Sequence, residues 1–318
     1  MEGQKKSAFV AVVGRPSVGK STLVNLICGQ KVAIVSPVPQ TTRNAIRGIY
    51  TEDRGQLIFV DTPGRHRSER KLNRKLISVS DRSMGEADVI LYVLDALRPP
   101  GPEEEAVVRA LAPFADKTLG AINKMDGKGA DAGGLEAFLR ERLWPGDAAS
   151  PNSGTLSPGG EPRRWVAISA LEKRGIGELL SRLFDMAPGG EAFYPGDYYT
   201  DQEVSFRIAE IIREKAIARL REELPHSIYV DVADLELRDP PAAGGAKRLW
   251  VRAFIVTERE SQKGMVVGKG GTLIKAIRQA AQRDLDAVFD WKVDLDLRVK
   301  TAGDWRHNDA LLKRLIDR

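Results

Sequence analysis

Residues 8–29 read AFVAVVGRPSVGKSTLVNLICG. A short apolar run leads into a glycine-rich turn, and the turn leads into a helix-forming segment, which is the strand–loop–helix context of a phosphate-binding loop. Gly14, Gly19, Lys20 and Ser21 fill the fixed positions of G-x-x-x-x-G-K-[ST]. In that setting the backbone N–H groups of residues 14–22, with Ser17, Val18 and Thr22 among them, and the start of the helix can wrap phosphates. Lys20 neutralises their charge and the Ser21 hydroxyl can take Mg²⁺. The loop by itself names neither the base nor the purpose, because kinases, ATPases and GTPases share it.

Working outward, apolar runs recur in QLIFVDTPG (56–64), DVILYVLDA (88–96), TLGAINKMD (118–126) and RWVAISA (164–170). Helical patterns over 68–83, 103–111 and 135–143 separate the later ones. Strands that are apolar nearly throughout and alternate with helices predict an α/β domain, a mostly parallel sheet with helices on both faces. Residues 145–162, rich in Gly, Pro and Ser with few apolar anchors, are expected to be a flexible surface insertion. A second break in composition at 187–201 suggests a linker. Beyond it the pattern changes to a helix over 203–223, two strands, a short helix over 261–267, a helix over 272–288, a strand in WKVDLDLRVK, and a final helix from about residue 304. The domains expected are therefore 1–187, a linker at 188–201, and a second, α+β domain at 202–318 that includes the C-terminal helix.

The composition bounds the possibilities. A chain of 318 residues, 42% hydrophobic and 29% charged, fits two soluble globular domains. No run of eighteen apolar residues is present, and the N-terminal apolar run is too short for a signal peptide. A lone cysteine, Cys28, excludes an internal disulfide and fits a reducing compartment, so a cytoplasmic location is expected. Three histidines and one cysteine leave no zinc-type cluster. The net charge is +5, but residues 191–318 hold 22 basic and 22 acidic side chains, so the whole excess lies in the first 190 residues. Local clusters, not the global charge, must therefore locate any polyanion site.

Three further motifs define the nucleotide. VDTPG puts Asp61 at the end of a strand, where it can hold Mg²⁺, and places the Gly64 N–H where a γ-phosphate can meet it. QTTR supplies Thr41 and Thr42 in the intervening loop; Thr42 is the candidate that completes the metal shell only while the γ-phosphate is present, which makes a switch element. NKMD supplies Asp126 as acceptor for the N1–H and 2-amino group of guanine, Asn123 to tie neighbouring loops, and Lys124 to lie over the base. In SAL, Ser169, Ala170 and Leu171 close the base pocket, with the Ala170 N–H available to the guanine O6. A site built around such donors and acceptors rejects the wrong base by roughly four orders of magnitude in favourable cases. The reading is a GTP/GDP site with Mg²⁺. Arg65 follows DTPG at the place where Ras-like switches carry a water-orienting glutamine; arginine cannot serve as base or acceptor, so slow intrinsic hydrolysis is expected.

In the second domain SQKGMVVGKGGTLIKAIR contains Gly268-Lys269-Gly270-Gly271, a GxxG turn between helices. A bare backbone there can clamp single-stranded phosphates. From residue 259 to 283 six basic residues face one acid, and Lys263, Lys269, Lys275 and Arg278 are the candidate RNA contacts. Residues 64–82 hold seven basic residues against Glu69 and Asp81; this is either a solvated helix face or an RNA contact ordered in the GTP state.

Taken together, GRPSVGKST, QTTR, DTPG, NKMD, SAL and SQKGMVVGKGG, with YYTDQ and AEIIREK at the junction, resemble the bacterial Era GTPases over essentially the whole chain. The resemblance implies a G domain followed by a type II KH domain, a cytoplasmic monomer that binds 16S ribosomal RNA near its 3′ end and assists assembly of the 30S subunit, with peripheral inner-membrane association in some relatives and no DNA partner. Two positions depart from that pattern. Ser17 replaces an asparagine that can help hold an activating potassium ion, which puts potassium stimulation in doubt, and Arg65 replaces a usually apolar residue. Two other classes compete: a P-loop kinase, against which NKMD and the lack of an evident acceptor site or lid speak, and a membrane-associated signalling GTPase whose KH-like domain mediates protein contacts, against which the GxxG loop and its basic helix speak.

Overall fold

The computed structural model describes residues 4–38, 41–65, 71–145, 164–239 and 247–316. They form two compact units: residues 1–33 with 42–201, and residues 34–41 with 202–318.

The first unit is built on a six-stranded sheet in the order β2-β3-β1-β4-β5-β6. β1 (Lys6–Val13), β3 (Gly55–Asp61), β4 (Val89–Asp95), β5 (Thr118–Asn123) and β6 (Trp165–Ala167) run parallel. Every residue of β3, β4 and β5 is buried, as parallel strands covered on both faces require. β2 (Ile46–Glu52) pairs antiparallel with β3 at the edge. The apolar-run reading does not find this strand, because Gly48 and the charged or polar residues at 47, 51 and 52 dilute its pattern. Helices α1 (Lys20–Cys28), α2 (Lys71–Glu86), α3 (Pro102–Leu111), α4 (Ala132–Arg142) and α5 (Ile176–Met186) follow in chain order. α3 begins with Pro102 and three glutamates, suited to the orphan N–H groups and positive end of a helix N-terminus. The expected insertion at 145–162 lies, Pro145 apart, outside the described residues.

Residues 188–201 pack within the first unit. Gln56, fully buried, accepts from the Phe193 and Tyr194 N–H groups (both 2.9 Å) and donates to the Tyr194 carbonyl (2.9 Å). Further along, the Ile49 N–H donates to the Tyr199 carbonyl (2.9 Å) and Arg47 pairs with Asp201 (2.7 Å).

In the second unit a sheet ordered β7-β8-β9 carries helices on one face. β7 (Tyr229–Arg238) and β8 (Arg248–Thr257) are antiparallel; β8 and β9 (Lys292–Thr301) are parallel. Leu249, Val251, Ala253 and Ile255 alternate inward from β8 and meet α6 (Val204–Ile217) and α9 (Thr272–Val288), the latter through Ile277, Ala281 and Leu285 at four-residue spacing. The opposite face carries a mosaic of paired charges such as Arg248 with Asp294 (2.5 Å) and Lys300 with Asp231 (2.8 Å).

Two helix boundaries differ from expectation. The helix anticipated over 203–223 ends at Ile217; Glu222 takes a left-handed conformation (φ 55°), and Pro225 opens a separate short turn of helix, α7 (Leu224–Ser227). The final helix, α10 (Asp309–Ile316), starts later than anticipated because Asp304 is also left-handed (φ 55°) and a 3₁₀ turn, Trp305–His307, intervenes. That turn buries Trp305 against Tyr229, with its Nε1 donating to the Ser227 carbonyl (3.1 Å). α8 (Glu260–Val267) is started by Gln262, whose Oε1 accepts from the N–H groups of Glu258 and Arg259 (3.1 and 3.0 Å). Among the described residues no helix is long and apolar enough to cross a membrane.

Because the Gln56 carboxamide alone satisfies two backbone N–H groups of the 188–201 segment, Gln56→Leu is predicted to destabilise the first unit by about 1–3 kcal/mol. Urea denaturation would measure this, and limited proteolysis is expected to cut earliest within 188–201.

Candidate nucleotide and RNA sites

The phosphate loop runs from the end of β1 to the start of α1. Its shape is fixed by backbone geometry: Gly19 has φ 101°, and a Cβ there would lie 2.5 Å from Asn123 Nδ2, so only glycine fits beneath that side chain. Ser17 is left-handed too (φ 65°), a conformation that costs a non-glycine residue about 1–2 kcal/mol and that asparagine tolerates better. Lys20 is buried and donates to the carbonyls of Gly14 (3.1 Å) and Arg15 (3.0 Å). Burial lowers its pKa to about 8, against the opposing pull of Asp61 and Glu104.

Three oxygens converge next to it. The Ser21 hydroxyl donates to Asp61 Oδ2 (2.5 Å) and lies 3.1 Å from Thr42 Oγ1, which itself reaches Asp61 Oδ2 (3.4 Å). Asp61 has no exposed surface, and burial raises its pKa although Lys20, Ser21 and Thr42 oppose the shift. Its Oδ1 is buried and lacks a hydrogen-bond partner among the described residues. An unsatisfied buried carboxylate oxygen beside two hydroxyls is a donor set that suits a hard divalent cation. Ser21, Thr42 and Asp61 fit Mg²⁺, which when bound supplies charge to the phosphates. Gly64 and Arg65 continue along the loop: the Arg65 N–H donates to the Gly14 carbonyl (3.3 Å).

The base-side motifs come together through Asn123. Its Nδ2 donates to the Val18 carbonyl (2.9 Å) and its Oδ1 accepts from the Ala170 N–H (3.0 Å), so one side chain ties NKMD to both the phosphate loop and SAL. Lys124 donates to the Ser17 carbonyl (2.9 Å) and pairs with Asp95 (2.7 Å). Asp126 accepts from Ser169 Oγ (2.5 Å), the main reason that its pKa is lowered, and so stays an anionic acceptor. Leu171 is 78% exposed. Val18 and Thr22 sit on the loop and the first turn of α1.

Thr41 separates from its neighbour. Thr42 belongs to the first unit, Thr41 to the second, where its carbonyl accepts from Arg213 Nη2 (2.5 Å). Arg213 is buried and braced by Glu210 through Nε and Nη2 (2.7 and 2.6 Å), and Glu214 Oε1 accepts the Val35 N–H (3.0 Å). Arg213 and Glu214 lie in AEIIREK, which the sequence marks only through the family resemblance and without a role; Asn25, whose side chain holds Val32 and Ala33 (2.7–2.8 Å), is not marked at all. Their partners are far away in sequence or backbone atoms, so the sequence does not display these contacts. Asp95 carried a faint signal, a carboxylate ending an apolar strand.

The GxxG turn links α8 to α9 in the second unit. Gly268, Gly270 and Gly271 all have positive φ (75°, 60° and 75°). A Cβ at Gly268 would strike Leu273, whereas one at Gly270 or Gly271 would meet nothing within 4 Å, so that stretch of backbone is open to a ligand. Lys269 and Lys275 are exposed and Arg278 half-buried, on the turn and on α9. Lys263 pairs with Glu260 (3.1 Å). In the basic stretch after DTPG, residues 66–70 and the side chains of 71–72 lie outside the described residues; Arg74 is exposed and Lys75 half-buried.

Comparison with known proteins agrees with this geometry. Residues 9–124 match a family described as 50S ribosome-binding GTPase, and residues 223–306 match the KH domain family. The GTPase Era of Treponema denticola is 45% identical over 97% of this chain and 99% of its own. The chain belongs to the Era GTPase family. GTPase Era of Borreliella afzelii is 43% identical over 98% of this chain and its whole length. Among solved structures, a point variant of Aquifex aeolicus Era bound to GDP.AlF4⁻ superposes with a TM-score of 0.86 at 31% identity, each chain 98% covered. Era in complex with MgGDPNP and nucleotides 1506–1542 of 16S ribosomal RNA does so with a TM-score of 0.83 at 32% identity, again with 98% coverage of both. As a member of this family the chain is a GTPase, with a P-loop G domain followed by a KH domain.

The Lys20 environment gives a pH dependence. Phosphate oxygens favour the ammonium form, so the pKa rises above about 8 on binding, and binding takes up a proton wherever the free protein has lost it. GDP affinity is therefore expected to be flat below pH 7 and to fall roughly tenfold between pH 7 and pH 9. Calorimetry in buffers of different ionisation enthalpy should register proton uptake near pH 8.5 and none near pH 6.5.

Proposed function

We propose that this protein is a guanine-nucleotide switch that binds 16S ribosomal RNA near its 3′ end and assists maturation of the small ribosomal subunit. The observation that carries the reading is the GKGG turn, an exposed backbone of positive-φ glycines flanked by Lys269 and Lys275. This is the kind of surface that clamps single-stranded phosphates without side-chain obstruction. The related Era chain seen with 16S ribosomal RNA supplies the choice of RNA.

In this reading the phosphates lie on residues 14–22 and guanine on Asn123, Lys124, Asp126 and residues 169–171. RNA lies on Gly268, Lys269, Gly270, Gly271, Lys263, Lys275 and Arg278. The G domain spans 1–187 and the KH domain 202–318. Thr42 is the reporter of nucleotide state: its hydroxyl is in the Ser21–Asp61 cluster, while Thr41 and Val35 belong to the compact unit that carries the GKGG turn and are held there by Arg213 and Glu214. A change in how Thr42 is held must pass through one peptide bond into that segment. The protein acts as a monomer in the cytoplasm, consistent with its lone cysteine; peripheral membrane association rests on the resemblance alone.

Crosslinking of the full chain to total cellular RNA tests this reading. The 3′ end of the small-subunit RNA should be enriched with a GTP analogue, and Gly270→Asp, which adds an anion where a phosphate would lie, should reduce that recovery about tenfold or more. Because Gly270 meets no neighbour, GDP affinity should be unchanged in the variant. Recovery of no RNA by the wild-type chain would instead favour a KH unit used for protein contacts.

A further inference from the structure

Arg65 is a cation anchored beside the phosphate loop to which the G-domain motifs assign no role. Its main chain is fixed at the phosphate loop, since its N–H donates to the Gly14 carbonyl (3.3 Å). The preceding residue lies flush on the same loop: a Cβ on Gly64 would come within 2.7 Å of Pro16 N and 2.8 Å of Pro16 Cα. The side chain, by contrast, is directed to α2, where its Nη1 pairs with Asp81. It is well packed for an arginine, at 14% exposed, while the Asp81 carboxylate is 50% exposed.

We propose that Arg65 is a catalytic residue held in reserve, lending its charge to the transferring phosphoryl group, and that Asp81 holds it away from that position until GTP engages. An ion pair with a half-exposed carboxylate is weak, because water competes for both partners. A triphosphate beside the same backbone presents several anionic oxygens in a drier setting, and the guanidinium fork matches phosphate geometry. In hydrolysis the water oxygen forms a bond to the γ-phosphorus, the bond from that phosphorus to the bridging oxygen breaks, and its electron pair stays on the β-phosphate of GDP. The water proton leaves on inorganic phosphate. Arg65 exchanges no proton; it opposes the charge that develops on the equatorial and bridging oxygens, a contribution that an arginine supplied within the chain makes in other phosphoryl-transfer proteins. The Asp81 contact lowers the basal rate by the fraction of molecules in which Arg65 is still held back, a several-fold effect for so weak a pair.

The test compares GTP hydrolysis and GDP binding, with and without aluminium fluoride, in the full chain and in Arg65→Leu, Arg65→Lys, Asp81→Asn and the double variant. Arg65→Leu should lower kcat about tenfold or more with GDP affinity kept within about twofold, and should lose the extra affinity conferred by aluminium fluoride. Arg65→Lys should recover part of the rate. Asp81→Asn should raise kcat several-fold, and the double variant should behave as Arg65→Leu, because the gain depends on the released arginine. A merely structural pair predicts the opposite pattern: both single variants would lose activity and stability together. Equal losses in Arg65→Leu and Asp81→Asn, or an unchanged kcat in Arg65→Leu, would overturn the proposal.

Discussion

Asp61 is a carboxylate with no exposed surface, and the phosphate end of the G domain is arranged around the cost of placing it there. It ends β3, a strand buried along its whole length, so the fold leaves it no route to water. Ser21 and Thr42 supply hydroxyls to one of its oxygens, Lys20 supplies a positive charge, and the other oxygen has no partner among the described residues. Such a group is stabilised most by added positive charge, and an Mg²⁺–nucleotide brings the cation together with the phosphates that satisfy Lys20. One buried carboxylate thus makes the loop selective for a charged, metal-bearing ligand. Asn123 joins NKMD to the phosphate loop and to SAL, which holds in place the loop that carries Asp126, the proposed guanine acceptor.

In the proposed switch the same cluster is where nucleotide state reaches Thr42. Thr42 and Thr41 are adjacent in the chain but differ in allegiance: one hydroxyl faces Ser21 and Asp61, the other residue's carbonyl is held by Arg213. Arg213 is itself buried and braced by Glu210, so its grip on Thr41 is a fixed feature of its unit rather than a surface encounter. Energetic coupling requires an element whose arrangement both sites bias, and in the proposed switch the Thr41–Thr42 peptide bond joins the two.

What the sequence made legible follows from how local each signal is. β3 and β4 were readable because burial on both faces forces an apolar run, and the phosphate loop because its glycines and Lys20 answer to backbone geometry within a few residues. β2 escaped because an edge strand containing Gly48 and alternating polar residues need not look apolar. The helix expected to reach residue 223 ends at Ile217, and the left-handed Glu222 that keeps 218–223 from continuing as one helix is not displayed by composition. Among the site residues, those named by a motif were found. Contacts made with a distant partner were not: AEIIREK contains Arg213 but does not show that it answers to Thr41, and Asn25 answers to the backbone of a loop seven to eight residues on. Arg65 stood out as a departure from its family, yet Asp81, sixteen positions later, read only as one acid in a basic helix.

In the proposed function Thr42 is the point where nucleotide state enters the RNA-binding unit. Its most direct test is RNA affinity of the wild type and Thr42→Ala, each loaded with a GTP analogue and with GDP, using a fragment of the 3′ end of small-subunit ribosomal RNA. The wild type should bind the fragment more tightly, about tenfold, with the GTP analogue than with GDP, and Thr42→Ala should bind it equally in both states at the GDP level. A Thr42→Ala protein that kept the full difference between the two nucleotides would contradict it.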